Sequence, residues 1–340
     1  MTILVTGGAG YIGSHTVLKL LQHRYKVISL DNYTNSSPIS LDRVENISSG
    51  ELIRYQGDVR DRIILKEIFY KHDIDAVIHL AGLKSVNESI RRPLEYYDNN
   101  TLGTLILLEE MHQAGVYNLI FSSSATVYGN PQTVPISETH NTGDVINPYG
   151  RSKYMAENIL KDYYHANNTA NITILRYFNP VGAHESGLIG EDPNDIPNNL
   201  FPYITQVAIG KLTSLKIFGN DYETKDGTGV RDYIHVVDLA EGHLSALKGL
   251  TNKGDLQIYN LGTGNGHSVI EVINAFQEVT GTKIPFTFSS RRQGDVAECW
   301  SDASLAREKL QWAAKYSLKK MVTDAWRWQK MNPNGYKNIE

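Results

Sequence analysis

The stretch Ile3-Leu4-Val5-Thr6-Gly7-Gly8-Ala9-Gly10-Tyr11-Ile12-Gly13 decides the fold. Its apolar run reads as a buried strand, and the glycines behind it open an amphipathic helix from Tyr11 to Gln22. Gly7, Gly10 and Gly13 at this spacing allow a tight turn, close backbone approach to a pyrophosphate, and close packing of helix on strand. The helix N-terminus adds partial positive charge and free amides. Glycines at such a turn can also be purely conformational, so the context decides. The second strand, Lys26 to Leu30, ends in Asp31, about 24 residues beyond Gly7. A carboxylate there accepts hydrogen bonds from both ribose hydroxyls of adenosine and repels a 2'-phosphate. A dinucleotide site follows, with NAD favoured over NADP.

Outward from this motif, short apolar runs alternate with helical patterns: Ile63 to Lys71, Ala76 to Leu80, Pro93 to Gln113, and Tyr117 to Ser122. Such alternation predicts a doubly wound α/β fold with a parallel sheet and helices on both faces. Ala76-Val77-Ile78 and Leu119-Ile120-Phe121 are nearly continuous apolar segments, as strands buried on both sides require. After Arg176 the pattern breaks, and Phe178 to Leu200, with Pro180, Pro193 and Pro197, reads as loop. Beyond it lie strand candidates Leu215 to Phe218 and Leu256 to Leu261, and helix candidates Ser268 to Thr280 and Ser304 to Leu310. The expected organisation is a Rossmann-like, dinucleotide-binding domain over residues 1–177 and a smaller mixed α/β substrate domain over 178–340. Residues 234–261, with helical Val237 to Lys248 and strand Ile258 to Leu261, are expected to return to the first sheet.

Of 340 residues, 41% are apolar and 21% charged, with a formal net charge of -4, which is an ordinary globular composition. No apolar run reaches the roughly 20 residues of a membrane helix, and Met1 leads straight into a strand instead of a basic stretch followed by an apolar one. The mild negative balance and the absence of a Lys/Arg-rich tract remove the electrostatic footprint of a nucleic-acid binder. Cys299 is the only cysteine, so no intrachain disulfide and no thiolate zinc cage can form. The cytoplasm is the expected address. The eleven histidines have no paired ligand spacing, so His15, His79, His184 and His235 are expected to pack or hydrogen-bond and not to hold a metal.

The chemistry is expected where the strand Leu119-Ile120-Phe121 ends in Ser122-Ser123-Ser124, followed 25 residues later by Tyr149-Gly150-Arg151-Ser152-Lys153 at a helix start behind Asn147-Pro148. Tyr149 and Lys153, four apart, share a helical face. A tyrosine base needs its pKa brought down by roughly 3 units from about 10. An ammonium at that spacing and the positive nicotinamide ring act in the required direction. Tyr149 could then remove the proton of a sugar hydroxyl as the carbinol hydride leaves. With 20 tyrosines the spacing alone is weak evidence, and the dinucleotide motif gives it weight.

The sequence resembles the extended short-chain dehydrogenase/reductase family, and within it the UDP-hexose 4-epimerases, essentially from end to end. The resemblance is carried by Val5 to His15, Pro93-Leu94-Glu95-Tyr96-Tyr97-Asp98-Asn99-Asn100, Ser122 to Gly129, Arg176 to His184, Gly190-Glu191-Asp192-Pro193, Ile196-Pro197-Asn198-Asn199-Leu200, and Gly227 to Val236. It implies tightly held NAD, UDP-hexose substrates, a homodimer, and a cycle without net redox through a transient 4-keto sugar that turns its other face to the cofactor. It further implies that Tyr149 is the base, Ser124 hydrogen-bonds the reacting oxygen, and Lys153 holds the nicotinamide ribose. The cofactor would be bordered by Gly7, Gly10, Tyr11, Ile12, Gly13, Asp31, Asn32, Asn35, Ser36, Asp58, Val59, Leu80, Ala81, Gly82, Lys84, Asn99, Ser122, Tyr177 and Phe178. The UDP-sugar would meet Asn179, Asn199, Leu200, Phe218, Arg231, Arg292, Asp295 and Cys299.

Several of these have simpler readings. Asp58 could cap the helix from Asp61 on, Arg231-Asp232 could be a surface ion pair, Phe218 could be core, and the asparagines could cap turns. Two arginines from different segments nonetheless suit a pyrophosphate, because the forked guanidinium matches phosphate oxygens. Cys299 aligns with a family position bordering the sugar's 2-position, where the alternative is a bulky tyrosine. The space it leaves predicts acceptance of UDP-GlcNAc and UDP-GalNAc beside UDP-glucose and UDP-galactose. A nucleotide-sugar dehydratase would need Asp-Glu where Ala125 and Thr126 stand, and a non-catalytic NAD sensor would not need Ser124, Tyr149 and Lys153.

Overall fold

The computed structural model describes residues 1–193, 197, 199–250, 254–292 and 294–337. Strands β1 (Thr2–Thr6), β2 (Lys26–Asp31), β3 (Leu52–Gln56), β4 (Ala76–His79), β5 (Asn118–Ser124) and β6 (Asn171–Tyr177) lie parallel in one sheet. Strands β7 (Asn179–Val181), β8 (Leu215–Phe218), β9 (Val230–His235) and β10 (Asp255–Leu261) follow, and β10 pairs with β6 as the seventh strand. The order is β10-β6-β5-β4-β1-β2-β3, so the direction of winding reverses beside β1. In a sheet of this kind ligands bind at the carboxyl ends of the strands flanking that reversal.

The apolar strands have the physical cause expected of them. Ile3 and Val5 face a core shared with Val17, Leu18 and Leu21 of the helix Tyr11–Gln22 and with Leu244 and Leu247 of the helix Val236–Gly249. Leu4, between them, faces a core built with Leu65 and Ile68 of the helix Arg62–Lys71, Leu107 and Met111 of the helix Gly103–Gln113, and Leu160 of the helix Pro148–Ala166. Successive residues of one strand thus enter opposite cores, and both must be apolar.

Two expectations are corrected. The stretch from Pro93 to Gln113 is helical throughout but not one α-helix: Pro93–Tyr96 and Gly103–Gln113 flank a π-helical turn at Tyr97–Leu102, a wider geometry that often accompanies function. The proline-rich loop also contains a strand, since β7 pairs in parallel with β9 and opposes Asn179 to Tyr233. Ile196 and Asn198 lie outside the described residues.

The second core gathers Phe201 and Ile204 of the helix Leu200–Ala208, Leu215 and Ile217 of β8, Tyr233 of β9, Phe276 of the helix Val269–Thr280, and Met321 of the helix Leu318–Met331. Strands β11 (Gly266–Ser268), β12 (Phe286–Ser289) and β13 (Glu298–Cys299) complete it, β12 pairing with β8 while β11 and β13 flank β9. The helix Val269–Thr280 opens with a reciprocal cap in which Ser268 accepts from the Glu271 amide and the Glu271 side chain accepts from the Ser268 amide.

Candidate active site at the carboxyl edge of the sheet

Because the sheet is parallel, Thr6, His79, Ser124 and Tyr177 end their strands on one edge, with Thr6 opposite His79 and Ser124 opposite Tyr177. The glycine turn leaves β1 there. Gly7 has φ +72°, and a Cβ on it would stand 2.7 Å from the Ala81 nitrogen. A Cβ on Gly13 would stand 2.0 Å from the Gly7 carbonyl oxygen. Gly10 caps the helix Tyr11–Gln22 without a side-chain hydrogen bond, so the first helical amides are not taken up by a cap side chain. This cradle fits a pyrophosphate.

Asp31 is buried at the end of β2, where it accepts from the Ala9 amide at 2.9 Å, the Tyr33 amide at 2.9 Å and the Ser36 hydroxyl at 2.8 Å. These bonds tie the glycine turn to the loop bearing Asn32, exposed Asn35 and Ser36. Asp58 does not cap a helix; Asp61 does, accepting from the Ile63 amide. Asp58 instead accepts from Asn32 at 2.9 Å and from the Arg60 guanidinium, which holds its pKa far below the ordinary carboxylate range. Val59 is buried in the core beneath it.

Leu80 and Ala81 continue β4 through hydrogen bonds to the Thr6 carbonyl and hydroxyl. A Cβ on Gly82 would lie 3.2 Å from Asn100 and 3.4 Å from the Lys153 Nζ, so the chain passes closely over the lysine. Asn99 is half-buried. Its neighbour Asn100, absent from the sequence assignment, is the buried one: it accepts from the Leu83 amide at 2.8 Å and donates to the Leu83 carbonyl and the Ser152 hydroxyl. On the π turn Asn100 alone meets both the loop at Leu83 and the helix at Ser152, which spacing does not reveal.

The helix Pro148–Ala166 begins as read, with Asn147 accepting from the Gly150 amide and Pro148 at the first position. Burial raises the Tyr149 pKa while the nearby Ser124 hydroxyl lowers it. Lys153 is buried and donates to the Ser122 carbonyl at 2.8 Å, with burial pulling its pKa down to about 8. Glu157, one turn further on, opposes that pull and forms a buried ion pair with Arg176 at 2.7 Å while accepting from Ser123 at 2.6 Å. Tyr177 is pushed higher than its ordinary range by burial, and its hydroxyl meets His243 Nε2. The other ring nitrogen faces the Leu239 carbonyl, which can only accept, so Nδ1 carries the proton and Tyr177 donates to Nε2. Tyr177 therefore stays a neutral phenol, and Tyr149 is the phenol available as a base. Phe178 is buried against Ala125 and Val127, with half-buried Cys299 packed on the same cluster.

Across the cleft, Lys84 pairs with Glu191 at 2.8 Å, and Asn199 donates to the same carboxylate oxygen at 2.8 Å. Asn199 sits at the cap position of the helix Leu200–Ala208 yet makes no cap bond. Glu191 thus joins two predicted ligand residues and was itself not predicted. Asn179 is exposed and Leu200 half-buried. Arg231 and Asp232 are not an ion pair: Asp232 is fully buried and accepts from Thr263, Gly264 and Ser301, while Arg231 donates to the Val230 carbonyl at 2.8 Å. Among the described residues no carboxylate lies within ion-pair reach of Arg231. Arg292 lies 4.8 Å over the Phe218 ring and pairs with Asp295 at 3.0 Å. The described residues thus supply a glycine cradle and a serine–tyrosine–lysine cluster at the sheet edge, and two guanidinium groups, those of Arg231 and Arg292, from the segments around β9 and β13.

A parallel sheet with a glycine turn at β1 and Ser124, Tyr149 and Lys153 at its edge defines a short-chain dehydrogenase/reductase of the extended kind. The chain matches the family model described as GDP-mannose 4,6 dehydratase over residues 4–325. It is 59% identical over 338 residues to the UDP-glucose 4-epimerase of Pasteurella multocida (strain Pm70), covering 99% of this chain and 100% of that one. Among solved structures, the UDP-glucose 4-epimerase from Bifidobacterium longum in complex with NAD+ and UDP superposes with a TM-score of 0.96 at 52% identity, covering 98% of this chain and 100% of that one. The enzyme from Stenotrophomonas maltophila with bound NAD and formylated UDP-arabinopyranose gives 0.95 at 48%, covering 98% and 99%. The chain belongs to this family and, within it, to the UDP-glucose 4-epimerases.

Proposed function

We propose that the protein interconverts UDP-glucose with UDP-galactose, and UDP-GlcNAc with UDP-GalNAc, by inverting carbon 4 with NAD as cofactor. The observation that carries this reading is the convergence of Ser124, Tyr149 and Lys153 on the sheet edge beside the glycine turn. The glycine turn, Asp31, Asp58 and Lys153 would hold NAD, which when bound would supply a reversible acceptor for the carbon-4 hydride. Ser124 hydrogen-bonds the 4-oxygen, and Tyr149 takes its proton and later returns it to the same oxygen. Burial alone would keep Tyr149 protonated, so the proton transfer depends on nearby positive charge. Arg231, Arg292 and Asn199 grip the UDP, Asp295 its ribose, and Phe218 lies by the uracil.

Ala125 and Thr126 supply no acid, and Thr126 spends its hydroxyl on Ser124 at 3.0 Å, which counts against a dehydratase. Cys299 supports the wider substrate range: burial pushes its thiol up to about 11, so it stays a small neutral group lining the cleft. A chain with one unpaired thiol suits the cytoplasm. Ile90, Leu94, Leu102, Leu105 and Met155 stand exposed on helices that pack side by side, and a second copy of the chain is the occupant we assign to them. Sedimentation as a monomer at micromolar concentration would refute that assignment. For the activity, purified protein given UDP-glucose and no added NAD is expected to form UDP-galactose by proton NMR, and Tyr149→Phe to be nearly inert. A folded, nucleotide-bearing protein that forms no product would favour a sensor.

A further inference from the structure

The sequence between β8 and β9 contains a tyrosine to which neither motif nor resemblance gives a role. Tyr222 is 6% exposed, and its hydroxyl, among the described residues, is buried without a hydrogen-bond partner. A buried hydroxyl left unpaired costs roughly 1 to 3 kcal/mol, so such a group is uncommon unless something outside the chain satisfies it. Its surroundings are built. Gly219 takes φ +86°, and a Cβ there would stand 2.5 Å from the Tyr222 ring, so backbone and ring are in direct contact. The Tyr222 amide donates to the Gly227 carbonyl at 3.0 Å. Arg291, anchored on Asp221 at 2.8 Å, lies 4.2 Å from the ring centroid. The ring is therefore fixed, and its charged neighbours are Asp295, Arg231, Arg291 and Arg292. Three of these four, Arg231, Arg292 and Asp295, are the residues assigned above to the UDP.

We infer that the Tyr222 hydroxyl is a substrate-binding group that hydrogen-bonds the ribose–phosphate part of the nucleoside diphosphate. This rests on the UDP-sugar reading of the cleft. Burial raises the phenol's pKa, so it remains a neutral donor through the working pH range, matched to a phosphate or ribose oxygen. Since the nucleotide is remote from the reacting carbon, the bond forms equally in ground and transition states and contributes to affinity, not to turnover.

Tyr222→Phe removes the hydroxyl and keeps the ring. Calorimetric titration of the holoenzyme with UDP is expected to give binding weaker by about fivefold to tenfold, the value of one hydrogen bond. KM should rise by the same factor for both UDP-hexoses with kcat unchanged. The melting temperature without UDP should stay level or rise, because no bond within the chain is lost. Unchanged UDP affinity overturns the inference, and so does a lowered melting temperature with unchanged affinity, which assigns the hydroxyl to the fold. If the wild-type protein itself fails to bind UDP, the reading of the cleft falls and takes this inference with it.

Discussion

Lys153 is where function and stability pull apart, and Lys153→Met measures the separation. Burial lowers its pKa from 10.5 to about 8. At 1.36 kcal/mol per unit, holding the ammonium inside the folded chain at neutral pH costs about 3 kcal/mol relative to the unfolded chain. The sign follows from proton counts. Between pH 8 and 10.5 the unfolded chain keeps a proton that the folded chain has given up, so stability rises with pH across that window. Below it both states are charged and the full cost stands; above it neither is. Methionine keeps most of the buried stem and removes the charge. At pH 7 the variant is expected to be more stable by up to about 3 kcal/mol, less what the lysine recovers from its bond to Ser122 and its place 5.0 Å over Phe121. The advantage should shrink as the pH approaches 10. Urea unfolding of nucleotide-free protein at both pH values reads this directly. Epimerisation should meanwhile fall by about a hundredfold or more, as for removal of a preorganised charge. A variant less stable than wild type at pH 7, or an advantage that does not change with pH, would refute the reasoning.

Gly13→Ala puts a methyl 2.0 Å from the Gly7 carbonyl, against backbone that cannot yield cheaply. It is expected to purify with little NAD, checked by enzymatic assay of the nucleotide released on denaturation; a full complement of NAD would contradict the cradle. Cys299→Tyr fills the space beside Phe178 and Ala125 and is expected to depress turnover of UDP-GlcNAc at least about tenfold more than that of UDP-glucose, and equal loss on both would remove Cys299 from the specificity site.

The parts of the fold legible in the sequence are those where one physical demand acts on consecutive residues. Burial on both faces makes Ile3 to Val5 continuous, and the glycine turn follows from contacts a Cβ would forbid. The helix start at Tyr149 is written locally by Asn147 and Pro148. Strand Asn179–Val181 escaped because a proline-bearing strand looks like a loop until its partner, more than 50 residues away, is known. The π turn at Tyr97–Leu102 has no composition of its own and is identified only by its hydrogen bonds.

The candidate site divides along the same line. Residues on one element, such as Tyr149 and Lys153, can be paired by spacing. Residues that act by meeting across the molecule cannot. Glu191 draws Lys84 and Asn199 to one oxygen from segments far apart in sequence, and His243 fixes the Tyr177 proton from the helix Val236–Gly249, 66 residues on. These groups share a consequence for the chemistry. Tyr177 and Tyr149 stand on neighbouring segments of one edge, Tyr177 buried and Tyr149 half-buried, and composition cannot distinguish them. Only the Leu239 carbonyl, by holding the His243 proton on Nδ1, commits Tyr177 to donate. Of these two phenols Tyr149 is thereby left to exchange a proton, and it is the one whose pKa the Ser124 hydroxyl lowers.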